Sequence, residues 1–465
     1  MGVVSDHDSA SPSTLGLPAA AWALYDFAYS MFAYVVFARY LSDWIISDLG
    51  HPDWVYTSGQ VVAAFSLLLL MPLAGVAADV IGRHRPLLAV FTLIAAAAAA
   101  LIGVLSPDIG PLGVLPLLAC GVVSAIATSL AFAQFDPMLA GIAPQRSWSV
   151  VSGVAVAAGY VGIVVWLSGL HYVFVGEGSK QHAFVPAAVL FVLLSMPLLV
   201  FGREYRRPSA IRPGEDTLHA TWRMANTRMR GAVQRLRGLP AVVRLLVGRF
   251  LYTDAIGTVN IFAVIYMSRL GGFSESDKNN VTLVVVVFGG IGALASGWAA
   301  RRVGPRRTLL CVVPAFSVGL WVVAGFGTPW TVWVLAPVLG AALGTVYTVD
   351  RLFMLALTPT ELRGELFGVF NLIGRVAQAL GPFVLWGGTI FVLHDRTGWL
   401  SALDASRVSL ALIAVAAIIG LLVIRPLSDG FTGDGSGGGP ALPPGVDIAS
   451  EPLGGTSTVP RVTEP

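Results

Sequence analysis

The sequence predicts an all-α membrane protein, with about twelve transmembrane helices in two six-helix, pseudo-symmetric halves. Three observations predict it. The chain is 55% hydrophobic and 12% charged, with a mean hydropathy of +0.77, which leaves too little polar surface for a soluble domain. Apolar runs of roughly 20 residues, the length that crosses the hydrocarbon core of a bilayer, recur about twelve times. Finally, one short basic turn is written twice. Residues 75–88 read GVAADVIGRHRPLL and residues 297–310 read GWAARRVGPRRTLL. Gly75 aligns with Gly297, Gly82 with Gly304, and Arg85 with Arg307. Each copy closes one apolar run and opens the next. A repeat of this kind implies two similar halves, the arrangement of secondary transporters that hold their solute between them.

Residues 1–18 are polar, with Ser, Pro and Asp, and are expected to form a disordered cytoplasmic N-terminus. They lack the basic n-region of a secretory signal, so the first apolar run is read as a retained helix. The N-terminal half, 19–202, has spans at about 19–46, 57–79, 86–105, 112–140, 148–174 and 182–202. A basic stretch, 203–242, reads as a cytoplasmic linker. The C-terminal half, 243–425, has spans at about 243–270, 280–300, 307–326, 330–356, 364–393 and 402–424. Residues 426–465 are rich in Gly, Pro, Ser and Thr and are expected to be a disordered cytoplasmic tail.

Charge sets the orientation. One set of loops carries Arg83, Arg85, Arg146, Arg301, Arg302, Arg306, Arg307 and Arg363, and the arginine-rich linker lies on the same side. The other side holds Lys180, Lys278 and Arg396 among Asp48, Asp53, Asp108, Glu177, Glu275, Asp277 and Asp395. By the positive-inside rule the linker and both termini are cytoplasmic, which makes this a multi-pass protein of the plasma (cell inner) membrane. Within the linker, TLHATWRMANTRMRGAVQRLRGL could lie as a basic amphipathic helix on anionic lipid, or serve only to set topology. Arginines so close to a bilayer argue against nucleic-acid binding.

Several chemistries are excluded. The lysines are Lys180 and Lys278 alone, and neither follows a glycine, so no phosphate-binding P-loop exists. The histidines are scattered without metal-ligand spacing, and no soluble stretch is long enough for a catalytic domain. The expectation is a non-enzymatic protein with no cofactor and no metal. Cys120 and Cys311 sit far apart in apolar runs and read as free thiols.

The first basic turn, G-x-x-x-D-x-x-G-R-H-R, resembles the loop between the second and third spans of the major facilitator superfamily. That resemblance implies a conformational latch between the halves, made by Gly75, Asp79, Gly82, Arg83 and Arg85. Gly75 and Gly82 would permit close approach, Asp79 would face a helix N-terminus, and the arginines would stay among headgroups. The alternative is a topology anchor. The second copy departs from the pattern, with Arg301 in place of the acid and Pro305 in place of the first basic residue.

Four further fragments narrow the resemblance: AWALYDFAYSMFA in span one, VSGVAVAAGYVG in span five, RFLYTDAIGTVNIFAVIY in span seven, and ELFGVFNLIGRVAQALGP in span eleven. In this order they are similar to the vacuole-effluxer-like branch of that superfamily, which includes autophagy-related vacuolar amino-acid effluxers and bacterial relatives. Tyr29 and Thr253 stand where that branch commonly has Asn. Gly153 and Gly159 match Gly368 and Gly374 in spacing, and would let helices pack closely.

Ionisable residues inside spans are the strongest functional signal. A charge at the bilayer centre costs about 2.5–3.5 kcal/mol on insertion scales, so it is expected to face a cavity or a partner. Asp26 lies ~10 Å along its span, and Asp254 and Arg375 lie ~16 Å along theirs. Asp136, Arg249, Asp350 and Arg351 lie nearer the span ends, within snorkelling reach of headgroups. The candidate substrate or proton path is Tyr25, Asp26, Tyr252, Asp254, Asn260, Asn371, Arg375 and Gln378. Arg375 is the candidate for a substrate carboxylate, and Asp26 or Asp254 for a proton or an ammonium group. A purely structural ion pair is the alternative.

These readings converge on a secondary active transporter that moves a small solute by alternating access, coupled to protons. The resemblance implies amino-acid or metabolite efflux. The partners are then a small-molecule substrate, protons and the lipid bilayer, and a monomer is compatible with the scheme. The competing readings are a drug or lipid exporter of the same fold, and a non-transporting scaffold or sensor.

Overall fold

A computed structural model describes residues 16–105, 113–142, 148–202, 222–223, 226–227, 230–231, 234–358 and 363–428. The termini and most of the linker lie outside the described residues, and so do the expectations made for them.

Among the described residues, twelve helices are long and apolar enough to cross a membrane. They are α1 (Leu17–Asp48), α2 (Asp53–Ile81), α3 (Arg85–Val104), α4 (Leu115–Ile142), α5 (Trp148–Val165, continuing through Phe174) and α6 (Lys180–Phe201). The second half has α7 (Pro240–Leu270), α8 (Glu275–Val303), α9 (Pro305–Phe326), α10 (Pro329–Leu357), α11 (Arg363–Gly381, continuing through Arg396) and α12 (Ala402–Ile424). Each expected run is present, displaced by a few residues at its ends. Hydropathy marks the hydrocarbon core, whereas capping decides where a helix stops. Thus α8 starts at a capping box between Ser274 and Asp277, ahead of its first apolar residue.

The two halves pack alike. In the first, α1 packs on α5 and α6, α3 on α4 and α6, and α2 on α4. In the second, α7 packs on α11 and α12, α9 on α10 and α12, and α8 on α10. Adding six to each helix number converts one set into the other. The halves meet along two symmetry-related seams, α2 against α11 and α5 against α8.

The repeated turn has a simple physical basis. Gly82 ends α2 with φ +69°, its N–H bonding Ala78 O at 2.8 Å, and Gly304 ends α8 with φ +92°. Both positions are left-handed, where a side chain would be strained. Proline then opens the next helix within its first two positions in both copies. Gly75 differs from its expected role. A Cβ there, or at Gly297, would meet nothing within 4 Å. Close approach occurs instead at Gly159 and Gly162, where a Cβ would lie 2.6 Å from Ser30 Oγ and 2.5 Å from Phe27 O. These two glycines press α5 against α1.

Among the described residues three spans turn π-helical, in every case on the side opposite the basic turns. In α1 the segments Tyr34–Tyr40 and Trp44–Asp48 are π-helical, in α5 Trp166–Leu170, and in α11 Pro382–Gly388 and Phe391–Arg396. π-Turns are rare and concentrate at functional segments.

Candidate functional site

A cavity of ≈ 310 Å³ lies between the halves. The first half supplies one wall, from α1, α4 and α5: Trp22, Asp26, Tyr29, Phe132, Phe135 and Asp136 are prominent. The second half supplies the other, with Asn260 from α7, Gly289 from α8, and Tyr347 and Arg351 from α10. The close α1–α5 packing at Gly159 and Gly162 brings these two helices together along the first wall. Asp136 and Arg351, near the basic ends of α4 and α10, are exposed. The cavity therefore runs from mid-membrane toward the basic side.

Its charges are divided between the halves. Both lining carboxylates, Asp26 and Asp136, belong to the first half, and the lining guanidinium, Arg351, belongs to the second. Ser30 Oγ donates to Asp26 Oδ1 at 3.5 Å, and Asp26 lies within electrostatic reach of Asp136 and Arg351. Arg375 stands behind the wall and donates to Tyr29 Oη at 3.4 Å. Gln378, one turn further along α11, lies beside Tyr347. Two of the expected path residues thus reach the cavity through tyrosines.

Other expected residues lie elsewhere. Tyr25 pairs with Thr92 at 3.0 Å and stacks on Phe135, one layer behind the cavity. Tyr252 donates to Asp350, which also holds Arg249 in an ion pair. Arg249 in turn donates to Phe370 O at 2.9 Å and lies over the Phe370 ring. This cluster fastens α7, α10 and α11 inside the second half. Asp254 is 4% exposed and accepts the backbone N–H of Gly381 at 2.7 Å, where α11 turns π-helical. Its position is off the cavity, in the α7–α11 contact, and no salt bridge joins it to a cation among the described residues. Asn371 is exposed on α11. In the latch loop, Arg85 donates to Val200 O at 2.9 Å and Gly202 O at 3.3 Å, tying α3 to the end of α6 within one half. His84 pairs with Gln134 at 3.0 Å. The Asp79 side chain lies outside the described set.

The opposite side is sealed by a charge network that the sequence did not announce. Arg39, fully buried in α1, donates to Glu275 of α8 at 2.9 Å and contacts Asp43 at 3.5 Å. Lys180 of α6 meets Asp43 and Asp48 at 2.7 Å each and Glu275 at 3.5 Å. Lys278 pairs with Glu275 and reaches Asp43 at 3.7 Å. Ser268 of α7 also donates to Asp43, at 3.2 Å. The two lysines of the entire chain are both in this knot. A second clasp centres on Asp53 of α2. It pairs with Arg269 of α7 and accepts Trp386 Nε1–H of α11 at 2.6 Å, while Arg269 also donates to Ser406 of α12 at 2.8 Å. The knot and the clasp both join first half to second. The π-segments of α1 and α11 contribute Arg39 and Trp386 directly.

Comparison with known proteins agrees with this geometry. The sequence profile of the Major Facilitator Superfamily matches residues 19–382. YxiO of Bacillus subtilis (strain 168), described as an uncharacterized MFS-type transporter, is 24% identical over 415 residues, covering 85% of this chain and 92% of that protein. Autophagy-related protein 22 of Yarrowia lipolytica (strain CLIB 122 / E 150) is 26% identical over 265 residues, which is 50% of this chain and 44% of that protein. The match thus spans less than half of the fungal relative. Among solved structures, the nucleoside transporter NupG superposes with a TM-score of 0.64 at 12% identity, over 88% of this chain and 99% of that one. A bacterial homologue of the human lysosomal transporter Spinster, inward-facing and unoccupied, superposes with a TM-score of 0.64 at 14% identity, over 90% of this chain and 98% of that one. At such identities the likeness concerns the fold alone.

Proposed function

The chain belongs to the Major Facilitator Superfamily and is a secondary transporter of a small solute; we propose that its solute is a zwitterion of amino-acid type, carried by alternating access and coupled to protons. The observation that carries this reading is the division of charge across the cavity. An ammonium group fits the first wall, between Asp26 and Asp136, with Trp22, Tyr29 and Phe132 offering ring faces to a cation. A carboxylate fits Arg351, with Arg375 behind Tyr29. A solute holding both walls draws the halves together, because it binds the closed form better than the open one. At ≈ 310 Å³ the cavity is at the small end of ligand sites.

The arginine-rich side is taken as cytoplasmic, in the plasma membrane, by the positive-inside rule. The conformation is then inward-open, with the Arg39–Glu275 knot and the Asp53 clasp as the outer gate. Asp26 and Asp254 are the proposed proton carriers, Asp26 within the cavity and Asp254 at the α7–α11 contact. The resemblance to the vacuole-effluxer-like branch favours amino-acid or metabolite efflux.

A second reading is kept by the aromatic content of the lining. Trp22, Tyr29, Tyr34, Phe132, Phe135 and Tyr160 would also suit a lipophilic cation. Thermal-shift measurement on the purified protein separates the two. Stabilisation by zwitterionic amino acids supports the first reading, and stabilisation only by lipophilic cations supports the second.

A further inference from the structure

A groove of ≈ 640 Å³ opens on the basic side of the second half, away from the solute cavity. Its lining is Leu236 and Arg237 from the end of the linker, Pro240, Val243, Arg244 and Val247 from α7, and Val423 from α12. The local packing explains the groove. Helices α7 and α12 cross with almost no separation at Gly248, where a Cβ would lie 2.7 Å from Gly420 O. On the basic side of this approach the surface between them is left unfilled. Val243 and Val247 are one turn apart on α7, 38% and 50% exposed, and line the groove together.

Two features separate this groove from ordinary lipid-facing surface. Arg237 and Arg244 both line it and are exposed, and neither has an ion pair or hydrogen bond among the described residues. Among the described residues no carboxylate lines it. Arg425 adds a third guanidinium, exposed at the end of α12, two residues past Val423. Guanidinium groups are shaped to hold phosphate oxygens. They sit at the depth where α7 begins and α12 ends, the headgroup level, with an apolar trough running inward from them.

We propose that this groove is a binding site for one anionic phospholipid of the leaflet on the basic side. The phosphate is held by Arg237 and Arg244, and an acyl chain lies along Val243, Val247 and Val423. Because Leu236 and Arg237 belong to the linker, the bound lipid pins the linker to the second half beside α7. Charge complementarity identifies the occupant: a zwitterionic phospholipid brings a cation toward the arginines and gains less.

The test uses the full-length protein in detergent, read by native mass spectrometry during titration with phosphatidylglycerol or phosphatidylcholine. The wild type is expected to retain one phosphatidylglycerol in preference to phosphatidylcholine. The double variant Arg237→Gln, Arg244→Gln should weaken that binding about tenfold to thirtyfold, from the usual contribution of a basic side chain at an anionic surface. Val247→Trp, which fills the trough and leaves both arginines in place, should weaken it as well. Inorganic phosphate at millimolar concentration should not displace the lipid. Equal retention of the two lipids by the wild type, or unchanged phosphatidylglycerol binding in the double variant, overturns the proposal. Displacement by free phosphate would identify a simple anion site and overturn it too.

Discussion

Arg39 of α1 and Glu275 of α8 form an ion pair at 2.9 Å across the two halves, 236 residues apart in sequence. The guanidinium is fully buried and the carboxylate mostly so. A buried pair contributes less net stability than its Coulomb energy implies, but removing one partner strands the other. The protein can relieve that stranded charge by opening the seam, so the pair acts as a conformational bias.

Glu275→Gln should therefore favour the form open on the Lys180/Lys278 side. The pair's loss is worth up to about 3 kcal/mol, roughly a hundredfold in the ratio of closed to open forms. Spin labels at positions 51 and 272 should report longer distances in the variant. An unchanged distance distribution would remove the gate assignment.

Asp254 and Gly381 form a second coupled pair. A Cβ at Gly381 would lie 2.3 Å from the Asp254 carboxylate. Gly381→Ala should thus push the carboxylate off its N–H donor at a cost of about 1–3 kcal/mol. It should reproduce the transport defect of Asp254→Asn while leaving membrane insertion normal. Wild-type transport by Gly381→Ala would show that this contact has no part in the cycle.

Proton coupling predicts that Asp26→Asn or Asp254→Asn abolishes substrate-driven pH change in proteoliposomes. Solute exchange across the membrane should survive in at least one of them. Solute transport without proton movement in the wild type, unaffected by both substitutions, returns the two carboxylates to a structural role.

The orientation predicts that cysteine labelling from outside intact cells modifies position 177 and spares position 215, in a chain lacking Cys120 and Cys311. Labelling at 215 reverses the topology, and the gate then faces inward.

Hydropathy and the doubled turn made the fold legible. Apolar length marks a span whatever it packs against, and the left-handed positions of Gly82 and Gly304 explain why the turn had to repeat. The site was legible in part. Asp26 stands out as a charge deep in an apolar run, and it lines the cavity. Asp136 and Arg351, near the ends of their spans, resembled snorkelling residues, and only the apposition of the two halves places them in one cavity. The gate was hidden for the same reason. Arg39, Asp43, Lys180, Glu275 and Lys278 all occur near span ends, where charge is ordinary, and their pairing is a property of the two halves in contact. π-Helical geometry leaves no residue pattern to read. Gly75 shows the reverse case, a repeated glycine that packs against nothing in this conformation.

The charge-divided cavity is tested most directly by counterflow in proteoliposomes, using a zwitterionic amino acid, its N-acetyl derivative and its amide. A transporter that grips the ammonium with Asp26 and Asp136 and the carboxylate with Arg351 exchanges the zwitterion. It should lose exchange when either end is blocked, and Arg351→Gln should discriminate less against the amide. Equal exchange of all three compounds, or of a lipophilic cation alone, would contradict it.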